Sequence, residues 1–182
     1  MFVAFLSFYF DRSFFYIIKL IRNSVLTDFF LGISFFSSLI FIFIFLTALF
    51  IKEKRRKFIL PLWLTLAFNV ILSFILKILI QRQRPFQLDL ISIIGNLNDS
   101  YFVWNFSFPS FQSMLVFSVL PFLNMEFKNL RYIWIVFSFL VAFSRIYLGL
   151  HFLSDVFLGG VVGYFIGFFV LSYFKKRNFD LI

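Results

Sequence analysis

The chain has 182 residues, of which 62% are hydrophobic and 14% charged, with a formal net charge of +9 at neutral pH. A typical soluble domain is about 45–50% apolar and about 25% charged, and a soluble core of this size cannot hide so much apolar surface. The absence of cysteine excludes disulfides, thiolate metal sites and Fe–S clusters, and a lone histidine, His151, excludes a multi-histidine metal site within one chain.

This composition predicts an all-α, multi-pass integral membrane protein. The positive charge then points to cytoplasmic loops and anionic headgroups, with no nucleic-acid partner. Met1 to Phe10 are apolar but lack a basic leader and a small-residue cleavage site, so they are not expected to be a cleaved signal. Residues 11–30 intersperse polar side chains among apolar ones, which predicts an amphipathic helix on the outer face. Residues 1–30 are therefore expected to form an interfacial segment. The alternative is a sixth span over residues 2–21, which would carry Asp11 and Arg12 into lipid.

Five spans are predicted after it. They cover about Leu31–Ile51, Phe58–Ile80, Ser110–Met125, Tyr132–Leu150 and Phe152–Phe174. Together residues 31–174 form the membrane domain, and residues 175–182 a basic cytoplasmic tail. The third span is short and contains Pro121. A polar-aromatic loop, residues 81–109, separates the second span from the third. Within it Tyr101 and Trp104 fit an interfacial aromatic belt. Gly159, Gly160, Gly163 and Gly167 on the last span fit close helix packing.

Orientation follows from basic residues. Lys52, Lys54, Arg55, Arg56, Lys57, Lys128, Arg131, Lys175, Lys176 and Arg177 all fall on one side of this layout. The positive-inside rule makes that side cytoplasmic. The amino terminus, the 81–109 loop and the turn near His151 then face outward.

Lys77, Arg82, Arg84 and Arg145 run against that bias, because they lie at or near the outer ends of spans. Arg82 alone reads as a snorkelling side chain. As a set, the outward cations need another account. If the second helix continues to Arg84, its seven-residue offset from Lys77 puts both on one face, and Pro85 then stops the helix. His151 and Asp155 are four apart, one helical turn. An aspartate inside a span is expensive unless paired. Converging cations beside a His–Asp pair suit a phosphate-bearing substrate, since Arg offers forked hydrogen bonds and Lys a point charge.

These residues resemble the type-2 phosphatidic acid phosphatase (PAP2) superfamily of membrane lipid phosphatases. The first motif of that family, Lys, six residues, then Arg-Pro, is matched by Lys77, Arg84 and Pro85. The third, Ser-Arg, five residues, His, three residues, Asp, is matched by Ser144, Arg145, His151 and Asp155. The second, Pro-Ser-Gly-His, reads Pro109-Ser110-Phe111-Gln112 here, so Phe111 stands for the glycine and Gln112 for the histidine. The resemblance runs from about Asp11 to Phe174, and the layout is similar to bacterial undecaprenyl-diphosphate phosphatases.

The resemblance implies a phosphohistidine intermediate on His151. Asp155 would hold the other ring nitrogen, and Lys77, Arg84, Arg145, the Ser110 hydroxyl and the Phe111 N–H would surround the phosphoryl oxygens. Ser110 also fits the N-cap of the third span. No metal or other cofactor is implied. Gln112 occupies the position assigned to protonation of the leaving group, and an amide cannot be a general acid at neutral pH. The expected activity is hydrolysis of a lipid phosphate or diphosphate at the outer leaflet. The alternatives are a lipid phosphotransferase, which would share the site, and a catalytically impaired relative that binds anionic lipids.

Overall fold

A computed structural model describes residues 2–91 and 105–178 of the chain. Tyr101 and Trp104, the expected aromatic belt, lie outside the described residues. Eight helices follow in order. They are α1 (Phe2–Ile21), α2 (Ser24–Phe36), α3 (Leu39–Lys52), α4 (Ile59–Ile80), α5 (Phe111–Ser118), α6 (Leu120–Glu126), α7 (Lys128–Tyr147) and α8 (Leu153–Asn178). No strand occurs among the described residues.

Among the described residues three stretches are long and apolar enough to cross a membrane: Arg56–Leu88, Lys128–Tyr147 and Leu153–Lys176. They carry the predicted second, fourth and fifth spans. The predicted first span is differently built. Helices α2 and α3 form a pair bent by 55°, which together satisfy the same length and hydropathy criteria. The bend falls at Ser37 and Ser38. The Ser37 hydroxyl donates to the Ser34 carbonyl at 2.8 Å, and Ser38 adopts the extended N-cap conformation of α3. Serine hydroxyls compete in this way with the backbone ladder. The predicted third span is also divided, into α5 of 8 residues and α6 of 7. Pro121 lies in the first turn of α6, where its missing N–H costs nothing but cannot continue the ladder of α5.

The amino-terminal region departs most from expectation. The predicted interfacial helix over residues 11–30 is instead two helices, parted at Arg22-Asn23. Asn23 caps α2, accepting from the Leu26 N–H at 2.9 Å. The break falls there because that side chain satisfies a helix-end donor. Asp11, with Arg12, is a charge that a membrane helix over residues 2–21 would carry into lipid. It is buried against protein, with salt-bridging and hydrogen-bonding partners on the 81–84 loop and α8.

Packing is closest between α5 and α8. A Cβ built on Gly163 would stand 2.1 Å from the Met114 carbonyl oxygen, and one on Gly167 would stand 2.0 Å from that of Ser118. Only glycine allows the two backbones to meet there. One apolar core joins Phe43, Leu46 and Phe50 of α3 to Phe58, Leu62, Leu115, Phe122 and Leu123. A second joins Phe15 and Ile18 of α1 and Phe30 of α2 to Ile146, Tyr147 and Phe152. Other large apolar side chains, such as Leu79, Ile133, Phe139 and Phe169, point outward. They suit a lipid solvent, where an exposed phenylalanine costs nothing.

Candidate active site

The site forms where the end of α4, the following loop, the start of α5 and the α7–α8 turn converge. Helix α4 stops at Ile80, because Gln81 turns left-handed (φ 48°) and returns its N–H to the Lys77 carbonyl at 3.0 Å. The helix therefore does not continue to Arg84, and the expected shared helix face is not how the two cations meet. Arg84 arrives on extended backbone ahead of Pro85. Its Nε donates to the Asn105 carbonyl at 2.8 Å and its Nη1 to that of Leu150 at 3.1 Å. The Lys77 ammonium is buried and donates to the Phe106 carbonyl.

Helix α7 ends in a tight turn. Gly149 takes a positive φ of 78°, which a side chain would disfavour, and the Leu150 and His151 N–H groups fold back on the Arg145 carbonyl at 3.0 and 3.2 Å. The turn brings His151 beside the backbone of Arg145. The Arg145 guanidinium is buried. It donates to the Gln112 amide oxygen, while its Nη2 has no hydrogen-bond partner among the described residues. A buried guanidinium N–H left unmet is costly, and an anion at that point would satisfy it. Ser110 is buried at the head of α5, accepts from the Ser113 hydroxyl at 3.0 Å, and donates its N–H to the Asp155 carbonyl at 3.1 Å. It occupies the expected N-cap position but makes no side-chain capping bond. Phe111 and Gln112 follow in the first turn of α5, whose dipole favours an anion.

The His151 imidazole is buried, and its Nδ1 lies 2.7 Å from the Ser107 carbonyl oxygen. A carbonyl only accepts, so Nδ1 carries the proton and Nε2 keeps the lone pair. Burial holds the imidazole pKa well below its ordinary 6.5, and Arg84, Lys77 and Arg145 push it the same way, against the Ser107 contact. The neutral form, with a free lone pair on Nε2, is thus the favoured one.

Asp155 does not hold the ring as expected. Its Oδ2 stands 3.9 Å from His151 Nδ1, beyond hydrogen-bond reach. That oxygen accepts instead from the Ser107 hydroxyl and the Phe152 N–H, while Oδ1 accepts from Arg82. Ser107, which belongs to none of the three motifs, thus links Asp155 to His151. No spacing rule could have found Ser107, since its partners lie 44 and 48 residues away. Arg82 is likewise no snorkelling side chain, because its guanidinium bridges Asp155 and Asp11. An isolated aspartate at position 11 was the available sign that some distant cation must reach it. Among the described residues no group of three or more His, Cys, Asp or Glu side chains is placed to hold a metal ion.

A buried imidazole stands among Lys77, Arg84 and Arg145 at one end of a helical membrane bundle. The profile of the PAP2 superfamily matches residues 58–179, and the chain belongs to that superfamily. The chain is similar to two solved structures. One is the transmembrane PAP2-type phosphatidylglycerolphosphate phosphatase from Bacillus subtilis, at 28% identity and a TM-score of 0.74, over 93% of this chain and 86% of that one. The other is LpxE from Aquifex aeolicus, at 29% identity and a TM-score of 0.71, over 90% and 96% of the two chains. A 73-residue stretch is 34% identical to the bacitracin transport permease protein BcrC of Bacillus licheniformis. That stretch is 40% of this chain and spans only 36% of BcrC.

Proposed function

We propose that this protein is a membrane lipid phosphatase that hydrolyses a polyprenyl diphosphate, such as undecaprenyl diphosphate, at the outer leaflet of the inner membrane. One observation carries the reading. The chain's lone histidine is buried and neutral, with Nδ1 engaged by Ser107, amid the fields of Lys77, Arg84 and Arg145. The same arrangement gives the reaction. His151 Nε2 attacks the terminal phosphorus, and the bond from that phosphorus to its bridging oxygen breaks. The lipid monophosphate leaves, and the phosphoryl group stays on Nε2. Water then attacks phosphorus and the P–N bond breaks. Inorganic phosphate departs, and the water's proton passes to the phosphate or to solvent. Lys77, Arg84, the unmatched Nη2 of Arg145 and Ser110 stabilise the charge spread over the phosphoryl oxygens.

Gln112 supports a diphosphate over a monophosphate. Its amide oxygen is committed to Arg145, which leaves only its NH₂ as a donor, and no proton to transfer. Cleaving a lipid monophosphate expels an alkoxide, about as basic as hydroxide, whose parent water has a pKa of about 15.7. Cleaving a diphosphate expels a phosphate monoester, whose second pKa is about 6. The gap is roughly 10 units, or about 14 kcal/mol for full proton transfer. General-acid help is typically worth about 10²–10⁴ in rate, so its loss harms a monoesterase far more than a diphosphatase. The described relative from Bacillus subtilis, a phosphatidylglycerolphosphate phosphatase, supports a lipid phosphate as the substrate class.

Phosphate release by the purified protein, in detergent with a chelator, tests the reading on matched lipid monophosphates and diphosphates. The diphosphate is expected to turn over faster, and Gln112→His to raise monophosphate hydrolysis more than diphosphate hydrolysis. Equal rates on phosphatidic acid and the diphosphate would refute the leaving-group argument, and no release from any lipid would refute the phosphatase. Orientation is tested separately. The native chain has no cysteine. A cysteine at Gln83 should react with an impermeant thiol reagent from outside, and one at Asn129 should not.

A further inference from the structure

Helix α1 lies outside the segment that matches the superfamily profile, yet it reaches the site. Asp11 lies midway along α1 and is buried. Its Oδ2 accepts from Arg82 Nη2 at 2.7 Å and from the Ser154 hydroxyl at 2.6 Å, and its Oδ1 from the Ser154 N–H at 3.0 Å. Arg82 in turn serves two carboxylates. Nη1 donates to Asp155 Oδ1 and to the Ser154 hydroxyl oxygen, and the guanidinium stacks over the Phe152 ring at 3.9 Å. Such a planar fork, fixed on four sides, has little freedom to move.

What Arg82 holds is the support of the nucleophile. The Arg82 carbonyl accepts the Ser107 N–H at 2.7 Å. The Arg82 side chain fixes Asp155, whose Oδ2 takes the Ser107 hydroxyl. Ser107 is therefore gripped by both its backbone and its side chain, and its remaining polar group is the carbonyl that meets His151 Nδ1. We propose that Asp11 and Arg82 are positioning residues for the nucleophile, acting through Asp155 and Ser107 to fix the tautomer and direction of the His151 ring. Helix α1 is then a working part of the active site. The inference rests on His151 being the nucleophile of the proposed phosphatase.

Phosphate binding belongs to Lys77, Arg84 and Arg145, so loss of the positioning residues should act on turnover and spare affinity. Arg82→Gln is expected to lower kcat about 10²-fold, the cost of a misplacement near 1 Å, with KM within about 3-fold. Asp11→Asn is expected to lower kcat about 10-fold by releasing one side of the fork, and to add little in the Arg82→Gln background, as residues in one network do.

The lone histidine supplies a second readout that needs no turnover. Protein labelled with ¹⁵N only at histidine, and carrying no histidine tag, gives one pair of ring-nitrogen signals. At neutral pH the wild type should show a single Nδ1–H tautomer, and both variants a mixture with the Nε2–H form. If the variants keep the wild-type tautomer and kcat and merely melt earlier, the role is structural and the proposal is overturned. If the wild type releases no phosphate from any lipid but the nitrogen signals still move, the phosphatase reading fails and the positioning stands. Should Arg82→Gln not fold, Asp11→Asn decides by the same two readouts.

Discussion

The two ends of the bundle use the same basic residue types under opposite conditions. At one end Lys52, Lys54, Arg55, Arg56, Lys57, Lys128, Lys175 and Lys176 are exposed, mostly in turns and at helix ends. At the other, Lys77 and Arg145 are buried beside His151 and Asp155. Exposed cations remain hydrated, pair weakly with neighbours and serve mainly to set orientation. The cations beside His151 have exchanged water for backbone carbonyls, as buried Lys77 does with Phe106 and half-buried Arg84 with Asn105 and Leu150. Carbonyls give partial charges only, so the buried set retains a positive field that an anionic substrate can meet. One end thus holds its cations in water and the other holds them against backbone carbonyls.

The strongest test of the buried end is His151, the proposed nucleophile. His151→Ala should abolish phosphate release and any acid-labile phosphoenzyme trapped from a labelled lipid diphosphate. Activity near the wild-type level in that variant removes the mechanism altogether.

Next in size is Arg145→Lys. A point charge cannot donate both to Gln112 and to a phosphoryl oxygen, so kcat should fall by about 10²-fold, the cost of losing one well-aimed donor. If lysine serves as well as arginine, the unmatched Nη2 is not a substrate contact.

The frame that brings α5 to the site can be broken without touching a charge. Gly163→Ala forces a methyl group against the Met114 backbone oxygen, 2.1 Å from where its Cβ must sit. Neither backbone can yield cheaply, and we expect a loss of about 2–4 kcal/mol, read as a lower melting temperature in detergent. An unchanged melting temperature means that α5 and α8 stand further apart than described.

A pH profile sharpens the comparison further. Protonation removes the Nε2 lone pair, so kcat/KM falls on the acid side as His151 titrates. Burial first, then Arg84, Lys77 and Arg145, hold that imidazole well below 6.5, and the acid limb should therefore lie below pH 6.5. Arg84→Gln removes the largest of the three charge effects and should move the limb upward. A limb that stays in place in this variant means that the cations do not act on the imidazole.

The smallest effect belongs to the exposed end. Arg55 pairs with Glu126 at 3.2 Å but is half exposed. Arg55→Ala should change stability by about 0–1 kcal/mol and leave turnover untouched. A large loss of activity there would erase the distinction between the two ends.

Several features were legible in the sequence because they are local. The long apolar runs of α4, α7 and α8 announce themselves through length and hydropathy, and the Ser144-Arg145, His151, Asp155 motif runs from the end of α7, through the turn, into the start of α8. Sequence was less able to say where a run breaks. The bend at Ser37-Ser38 and the division of α5 from α6 depend on single hydroxyls and one proline within apolar stretches, which barely alter mean hydropathy. Nor could it say that Asp11 faces protein, because hydropathy records how apolar a helix is and not which face meets lipid.

By itself, then, the sequence determined a helical membrane bundle, its basic end, and a lone histidine with Lys77, Arg84, Arg145 and Asp155 around it. The tertiary structure decided which group holds which. Asp155 turned out to grip Ser107 in place of the His151 ring, and Arg82 to join Asp11 to Asp155. The reason is physical. Buried polar groups must find partners wherever the fold brings them, and Asp11 meets Ser154 across 143 residues of chain. Residue spacing can encode a neighbour one helical turn away, but a contact across that distance exists only once the helices have packed.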